Sequence, residues 1–222
     1  MNGRLTALGA AAMLSALALL AVPGCGGSSS TSRSEKAASA SPSSTAPQTT
    51  YASQAFAVPL TVSVSSWLKS PPNPDSRNLL SWDAVSGATD KIRFLVPVDL
   101  YRPLRSVPEG VPRDYLAYLR GLTKYGVELS HVVKTSVGGH PATLMSVTTD
   151  ASEGIDGAIG CPAIGADQAE GCFGIQPDLI LRIAVIPVGT TTLLAWERTD
   201  RALPNKAYVA SFEQMLHSVR FR

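Results

Sequence analysis

Residues 54–222 predict an α+β fold in which helices flank an antiparallel sheet. Several segments alternate apolar and polar residues with a period of two, which is typical of strands with one buried face. Two pairs of these segments are joined by short glycine turns, and strands joined by tight turns pair antiparallel. Two other segments place apolar residues at helical spacing, and a helix of that kind buries its apolar stripe on a neighbouring layer.

The first predicted strand lies in "FAVPLTVSVSSW", residues 56–67. Its apolar side chains fall on alternate positions, which are Phe56, Val58, Leu60, Val62 and Val64. Because proline cannot donate a ladder hydrogen bond, Pro59 predicts an edge strand or a bulge here. After a turn-rich segment, "LLSWDAV" (79–85) and "KIRFLVPV" (91–98) predict the second and third strands.

Two hairpins are predicted further along the chain. The segment "VELSHVVKTSVGGHPATLMSVTT", residues 127–149, predicts two strands that turn at Gly138-Gly139. The segment "DLILRIAVIPVGTTTLLAWER", residues 178–198, repeats this form with Gly189 at its turn. Glycine adopts a positive φ without steric cost, which is what the tightest hairpin turns require.

One helix is predicted between the strands and one near the C-terminal end. The segment "VPRDYLAYLRGLTKYG" has Pro112 near its start and Gly126 past its end, as helices prefer. The second helix lies within residues 203–218, and its apolar face consists of Tyr208, Val209, Phe212, Met215 and Leu216. A short segment, Val219 to Arg222, closes the domain.

Residues 1–24 predict an export signal. The chain from Leu5 to Val22 is almost wholly apolar, and Arg4 is the only charge before it. This length and flank fit a secretory signal better than a membrane span, which takes roughly 20 apolar residues. The alternative to a lipoprotein is a plain signal peptide cut nearby, which would leave a free thiol at Cys25.

The motif "VPGC" that ends at Cys25 resembles the bacterial lipobox. The resemblance implies cleavage before Cys25 and attachment of acyl chains there, and two such chains anchor a protein stably. We therefore expect the protein at the extracytoplasmic face of the cell membrane. Residues 25–53 carry many Ser, Ala and Thr and no large aliphatic side chain, which predicts a disordered tether. Its mean reach is about 30 Å.

The charge balance argues against two classes of partner. The chain has 19 basic and 17 acidic residues, and loss of Arg4 with the signal would bring the two numbers closer still. Nucleic-acid binding requires a basic stripe, and electrostatic binding to anionic lipid requires a cluster of lysines and arginines. Neither occurs in this sequence.

The two cysteines other than Cys25 predict a structural disulfide. Cys161 and Cys172 lie in "IGCPAIGADQAEGCFG", which is rich in Gly and Ala, and such a pair oxidises outside the cytoplasm. Closing a loop of ~12 residues stabilises by on the order of 3 kcal/mol in the chain-entropy model. A redox-active dithiol would require a shorter spacing, and a metal site would require two further ligands.

The order of several segments resembles that of PsbP-like domains, and of the secreted actinobacterial lipoproteins of the LpqN and LpqT type. These segments are "GVPRDYLAYLRG", "TSVGGHPATLMSVTT", the cysteine-bracketed loop, "LRIAVIPVGTTTLLAWE" and "FEQMLHSVRF". The resemblance covers about residues 56–221 and implies an α/β/α sandwich that binds protein partners without catalysis. It therefore implies no catalytic residue and no cofactor. The loop between Asp150 and Pro177 is the least family-like part.

The residues themselves indicate no catalytic or metal site. The histidines, His131, His140 and His217, are scattered over a strand, a turn flank and a helix end, which favours structural or surface roles. The acidic residues between 150 and 178 could gather around calcium, but Ile155 stands where an EF-hand requires glycine. A solvated acidic loop is the alternative. The tryptophans, Trp67, Trp82 and Trp196, are predicted to pack in the core or across strands.

Two functions are compatible with this sequence. The first is a tethered, non-catalytic domain that binds a protein or lipid-related partner of the cell envelope, through its sheet or the loop of residues 150–177. Loops on a rigid sheet commonly carry recognition, which favours this loop as the contact surface. The second is a hydrolase that acts on envelope material through an unrecognised site.

Overall fold

The computed structural model describes residues 47–86 and 89–222. The predicted signal of residues 1–24, the lipidation site Cys25 and residues 26–46 of the predicted tether lie outside the described residues. The described part is mainly antiparallel sheet with two α-helices, so the α+β class is present. Within it, no helix is long and apolar enough to cross a membrane.

Thirteen strands and two α-helices are formed by the described residues. The strands are β1 (Gln48–Ala52), β2 (Leu60–Ser65), β3 (Leu79–Asp83), β4 (Lys91–Leu95), β5 (Asp99–Leu100), β6 (Glu109–Gly110), β7 (Val127–Val137), β8 (His140–Thr149), β9 (Ile155–Gly160), β10 (Phe173–Ile175), β11 (Leu179–Val188), β12 (Thr191–Asp200) and β13 (Arg220–Phe221). The helices are α1 (Tyr115–Gly121), continued by a 3-10 turn (Leu122–Tyr125), and α2 (Lys206–Ser218).

Six strands form the central sheet in the order β3-β4-β12-β11-β8-β7, with antiparallel pairing throughout. Both predicted hairpins are confirmed, because β7 pairs with β8 and β11 with β12. Gly138 and Gly139 have φ of 56° and 84° at the first turn. A Cβ at Gly138 would lie 2.5 Å from the Phe221 ring, so this position requires glycine for space as well as for φ.

Both faces of the central sheet are buried, and neighbouring residues of β12 show how they divide. Leu193 and Ala195 belong to the hydrophobic cluster that includes β2 and α2. Leu194 and Trp196 belong to the cluster that includes α1, β9 and β10. Burial on both faces explains why β12 is a continuous apolar run rather than an alternating one.

A second sheet has the order β1-β2-β13, and it corrects two expectations. The apolar positions predicted for β2 are buried, but β2 is the middle strand of this sheet and not an edge. It begins one residue after Pro59, so the missing N–H lies outside the ladder. Strand β1 lies within the segment predicted to be disordered, so that prediction is wrong for residues 48–52.

Local side-chain contacts explain β1. Thr49, Thr50 and Tyr51 favour strands, and they pair with the edge of β2. The Tyr51 hydroxyl donates a hydrogen bond to Asp75, and its ring packs edge-on against Trp82 with 5.7 Å between centroids. The folded domain therefore extends to the N-terminal side of residue 54.

The segment from Asp150 to Pro177 is not the open loop that the sequence predicts, because it contains the hairpin β9–β10. Its apolar side chains, including Ile159 and Ile175, are buried in the cluster that includes α1. Hydrogen bonds reinforce this packing, since the Tyr118 hydroxyl donates to the Ala158 carbonyl at 2.9 Å.

Side chains cap both helices at their first turns. The Asp114 carboxylate accepts from the Ala117 N–H at 2.8 Å, and the Asn205 amide oxygen accepts from the Tyr208 N–H at 3.2 Å. Gly126 ends the 3-10 turn after α1 with a φ of 85°. The predicted helices are thus confirmed.

Candidate functional site

A disulfide joins Cys161 to Cys172, as the sequence predicts. It links the residue after β9 to the residue before β10, so it closes the loop 162–171. With Tyr101 and Ala166, the two cysteines form a small hydrophobic cluster of their own. The base of the loop is therefore fixed both covalently and by packing.

Further hydrogen bonds hold the loop 162–171 to the rest of the domain. The Tyr101 hydroxyl donates to the Ala166 carbonyl at 2.9 Å, and the Asn78 amide donates to the Pro162 carbonyl at 2.8 Å. The Asp167 carboxylate accepts from two backbone N–H groups within the loop. Hydrogen bonds therefore order this loop together with the cystine.

A cavity of about 230 Å³ lies between the hairpin β9–β10 and the central sheet. Its polar lining includes Arg93 on β4 and Arg198 on β12. In the ladder, Arg93 is opposite Trp196 and Arg198 is opposite Lys91. Directly paired residues point to the same face of a sheet, and so do residues two apart along one strand. The two arginines therefore approach the cavity from neighbouring strands.

Aromatic rings form the wall beside Arg93. Its guanidinium carbon lies 4.7 Å from the centroid of Phe173 and 6.0 Å from that of Trp196. The two rings meet at 5.2 Å in an edge-on arrangement. Cation–π contacts of this kind stabilise a desolvated cation, and they fix the position of the guanidinium.

The two arginines carry charge that the described carboxylates do not pair. Burial, and to a smaller extent the nearby Arg198, lower the pKa of Arg93 to about 10. Burial also lowers the pKa of Arg198. Among the described residues, neither guanidinium lies within 4.0 Å of a carboxylate oxygen, while Lys91 pairs with Asp83 at 2.9 Å. Arg198 Nε donates to the Thr89 carbonyl at 2.8 Å, which leaves its terminal nitrogens for other acceptors.

Acidic and amide groups line the opposite side of the same cavity. Asp156 accepts a hydrogen bond from the Gln176 amide at 2.7 Å, and Glu170 is also part of the lining. Asp156 also lines a second cavity, of about 300 Å³, with Tyr125 and Gln168. The two cavities are therefore neighbours on the surface around the hairpin β9–β10.

Two larger clefts differ in their charge. In the cleft of about 410 Å³ beside α1, Arg102 pairs with Glu109 at 2.6 Å, and Arg105 and Lys124 add positive charge on its exposed lining. The cleft of about 600 Å³ at the turn between β11 and β12 is lined mainly by Pro, Val and Thr residues, with Arg113 as its one charge. The cavity at Arg93 differs from both clefts because its two arginines project from paired strands of the sheet and aromatic rings hold one of them in place.

The other face of the central sheet contains a buried acid, Glu197. Its side chain is inaccessible to solvent, and neither carboxylate oxygen has a hydrogen-bond partner among the described residues. Burial, with a smaller contribution from Asp90 and against the opposing effect of Arg182, raises the pKa of Glu197 to about 8. Glu197 lines none of the four cavities described above. It is therefore a protonatable core residue rather than part of this site.

The histidines lie in three different elements. His131 has a φ of 49° in a bulge of β7, His140 packs edge-on against Phe221 at 5.0 Å, and His217 lies in the last turn of α2. Within residues 47–86 and 89–222, no three His, Cys, Asp or Glu side chains converge as a metal site would require. Of the tryptophans, Trp82 and Trp196 are buried as predicted, whereas Trp67 is 47% exposed.

Comparison with known proteins gives no family for this chain. The sequence matches no protein-family model, and no curated protein is significantly similar to it.

Proposed function

We propose that this chain is a membrane-anchored extracytoplasmic lipoprotein whose domain binds an envelope protein or ligand without catalysing a reaction. The observation that carries the proposal is the surface around the hairpin β9–β10, where a cystine-closed loop borders two neighbouring cavities. We refer to this surface as the hairpin surface. The lipobox resemblance at Cys25 and the disulfide both support a location outside the cytoplasm.

The size of the cavities indicates what they hold. Pockets that enclose a small molecule typically measure about 300–1,000 Å³. The two cavities of the hairpin surface, about 230 and 300 Å³, fit a group that projects from a larger partner. The loop 162–171 is already held by hydrogen bonds and the cystine, so binding costs little ordering entropy.

The proposal includes a PsbP-like arrangement of layers. Residues of α2 pack on one face of the central sheet with Ala184 and Ala195, and residues of α1 pack on the other face with Ile183 and Trp196. This division is what an α/β/α sandwich requires, and it supports the resemblance drawn from the order of the sequence segments.

Site-specific photocrosslinking in the native envelope tests the binding function. A photoreactive amino acid at Ile164, which is 85% exposed in the loop 162–171, should capture a discrete envelope component. The matched control is the same group at Val132, which is exposed on β7 at the far edge of the central sheet. Capture at Val132 in place of Ile164 would assign binding to that edge. Hydrolysis of an envelope substrate by the purified protein, abolished by one polar substitution, would favour the hydrolase.

Membrane fractionation tests the anchor. The Cys25→Ser variant should leave the membrane fraction or accumulate with its signal uncleaved, while Ser28→Ala should behave as wild type. If Cys25→Ser protein stays in the membrane fraction with its signal cleaved, the lipoprotein assignment is wrong.

A further inference from the structure

We infer that the cavity between β4, β12 and β10 binds a carboxylate or phosphate group, which Arg93 and Arg198 hold together. This inference deepens the proposed binding function and rests on it for its biological meaning. It names the chemical class of the group that the hairpin surface recognises.

The strand register places the two guanidiniums for joint binding. Arg93 and Arg198 project from the same face of adjacent strands, and both line the cavity of about 230 Å³. Their planar forks of N–H donors match the oxygens of a carboxylate or phosphate. Phe173 and Trp196 pack against Arg93, so the fork is held in place before the ligand arrives.

The wall of the cavity formed by the central sheet favours an anion, because both of its charged residues, Arg93 and Arg198, are cations and the acids Asp156 and Glu170 line the opposite side. Moving a cation out of water is costly unless it gains a partner of opposite charge. Asp83 lies in the same row of paired residues as Lys91 and Arg198, and its Oδ1 atom pairs with Lys91 at 2.9 Å. Nearby acids therefore offset only part of the charge of these two partly buried arginines, and an exogenous anion between them would neutralise more of it.

The opposite wall specifies the rest of the ligand. Asp156 and Glu170 line this wall and would repel a second anionic group. Their oxygens accept hydrogen bonds, so hydroxyl or amide groups of the ligand suit this side. The best fit is a single anionic group on a body that carries such donors. A cavity of this size has room for several water-sized groups, which is enough for that group and its nearest atoms.

NMR titration of the mature, ¹⁵N-labelled protein in neutral detergent tests this site. Inorganic phosphate is one probe and acetate the other, so the two arms distinguish a phosphate site from a carboxylate site. The side-chain Nε–Hε signals of Arg93 and Arg198 should shift together and saturate, with a Kd of roughly 1 mM for so few ligand atoms. The Arg182 signal, from a cation that pairs with Glu213 on the other face of the central sheet, should stay unchanged.

Two substitutions separate binding from folding. Arg93→Met keeps an apolar stem against Phe173, and Arg198→Met leaves the aromatic contacts intact. Each should weaken the preferred anion about 10-fold or more, because one of two charge-assisted hydrogen-bonding groups is lost. The control Arg102→Met should change affinity by less than about 2-fold, because its charge is already paired. If Arg93→Met fails to fold, Arg198→Met decides the outcome.

Two results would overturn the site. One is the absence of saturable shifts with either probe, and the other is equal affinity of wild type and both methionine variants. Failure of the anion site can be distinguished from failure of the proposed binding function. Anion binding without capture at Ile164 would support the anion site and contradict the proposed partner. Capture at Ile164 without anion binding would support the partner and contradict the anion site.

Discussion

Glu197 and Arg198 are adjacent on β12 and point to opposite faces of the central sheet. The environments of these two side chains therefore differ in how they accommodate a buried charge. Glu197 faces α2, where it is sealed from solvent and has no hydrogen-bond partner among the described residues. Arg198 faces the hairpin surface, where it reaches a cavity. The sealed acid is neutralised most readily by a proton, and the arginine at the cavity by an anion from outside.

This difference shows that the layer packed on each face of the sheet determines whether a buried charged group is closed off from solvent or reaches a cavity. On the sealed face, Tyr208 of α2 and Trp82 of β3 each have a buried polar atom without a partner among the described residues. Raised pKa values accompany this burial, and burial is the largest cause for both Tyr208 and Glu197. On the open face, the hairpin β9–β10 covers the sheet incompletely and leaves the cavity.

The largest expected effect is the loss of stability when the disulfide beside the hairpin β9–β10 is removed. Replacing both Cys161 and Cys172 by alanine should lower the free energy of unfolding by on the order of 3 kcal/mol, from the loop of ~12 residues that the bond closes. Urea denaturation measures this change. Hydrogen exchange should accelerate in β9 and β10 and stay slow in β2, on the other face of the central sheet. A loss shared equally by β2 would contradict the separation of the two faces.

The sequence predicts the elements whose pattern is local. The hairpins of β7–β8 and β11–β12 are visible because their apolar runs flank glycine turns, and α2 because its apolar residues recur at helical spacing. Strand β1 is hidden because it is a largely exposed edge strand without apolar alternation. The hairpin β9–β10 is hidden because Gly157 and Gly160, both at positive φ, interrupt the alternation.

The candidate site is only partly visible in the sequence. The disulfide follows from the number of cysteines and the compartment, without knowledge of the fold. Arg93 and Arg198 give a weaker signal, because each lies in a predicted strand with large apolar side chains but is not its only charge. Their convergence depends on the pairing of β4 with β12, which joins residues ~100 apart in the chain. No local pattern specifies such a pairing, because it results from packing of the whole sheet.

The buried Glu197 should make the free energy of unfolding depend on pH. Because the pKa of Glu197 is raised from its ordinary value of 4.5 to about 8, the folded state holds this proton more tightly than the unfolded state. The stabilisation is complete below pH 4.5 and is lost as the pH rises through 8, by at most about 1.4 kcal/mol per pH unit. Glu197→Gln should remove this slope. Urea denaturation of both proteins between pH 5 and pH 8 measures it.

The matched control for Glu197→Gln is Glu128→Gln, which removes an exposed carboxylate on β7. The difference between the two variants isolates the buried acid from all other titrating groups. Identical dependence of the unfolding free energy on pH in Glu197→Gln and Glu128→Gln would show that Glu197 is not protonated by burial.

The smallest expected effect is a change in anion affinity on the face of the sheet that carries the cavity. Asp83 is the acid that faces Lys91 and raises the pKa of Arg198, so it offsets part of the positive charge beside the cavity. Asp83→Asn should tighten anion binding about 2-fold at low salt, and the gain should fade as the Debye length shortens to ~8 Å at 0.15 M. The Asp83 side chain is 44% exposed, and ion pairs at such exposure contribute little, so stability should change little. The NMR titration measures this affinity, with Asp150→Asn, the partner of Arg201, as control. Equal gains in both variants would assign the effect to net charge, and weaker binding in Asp83→Asn would place the anion away from Arg198.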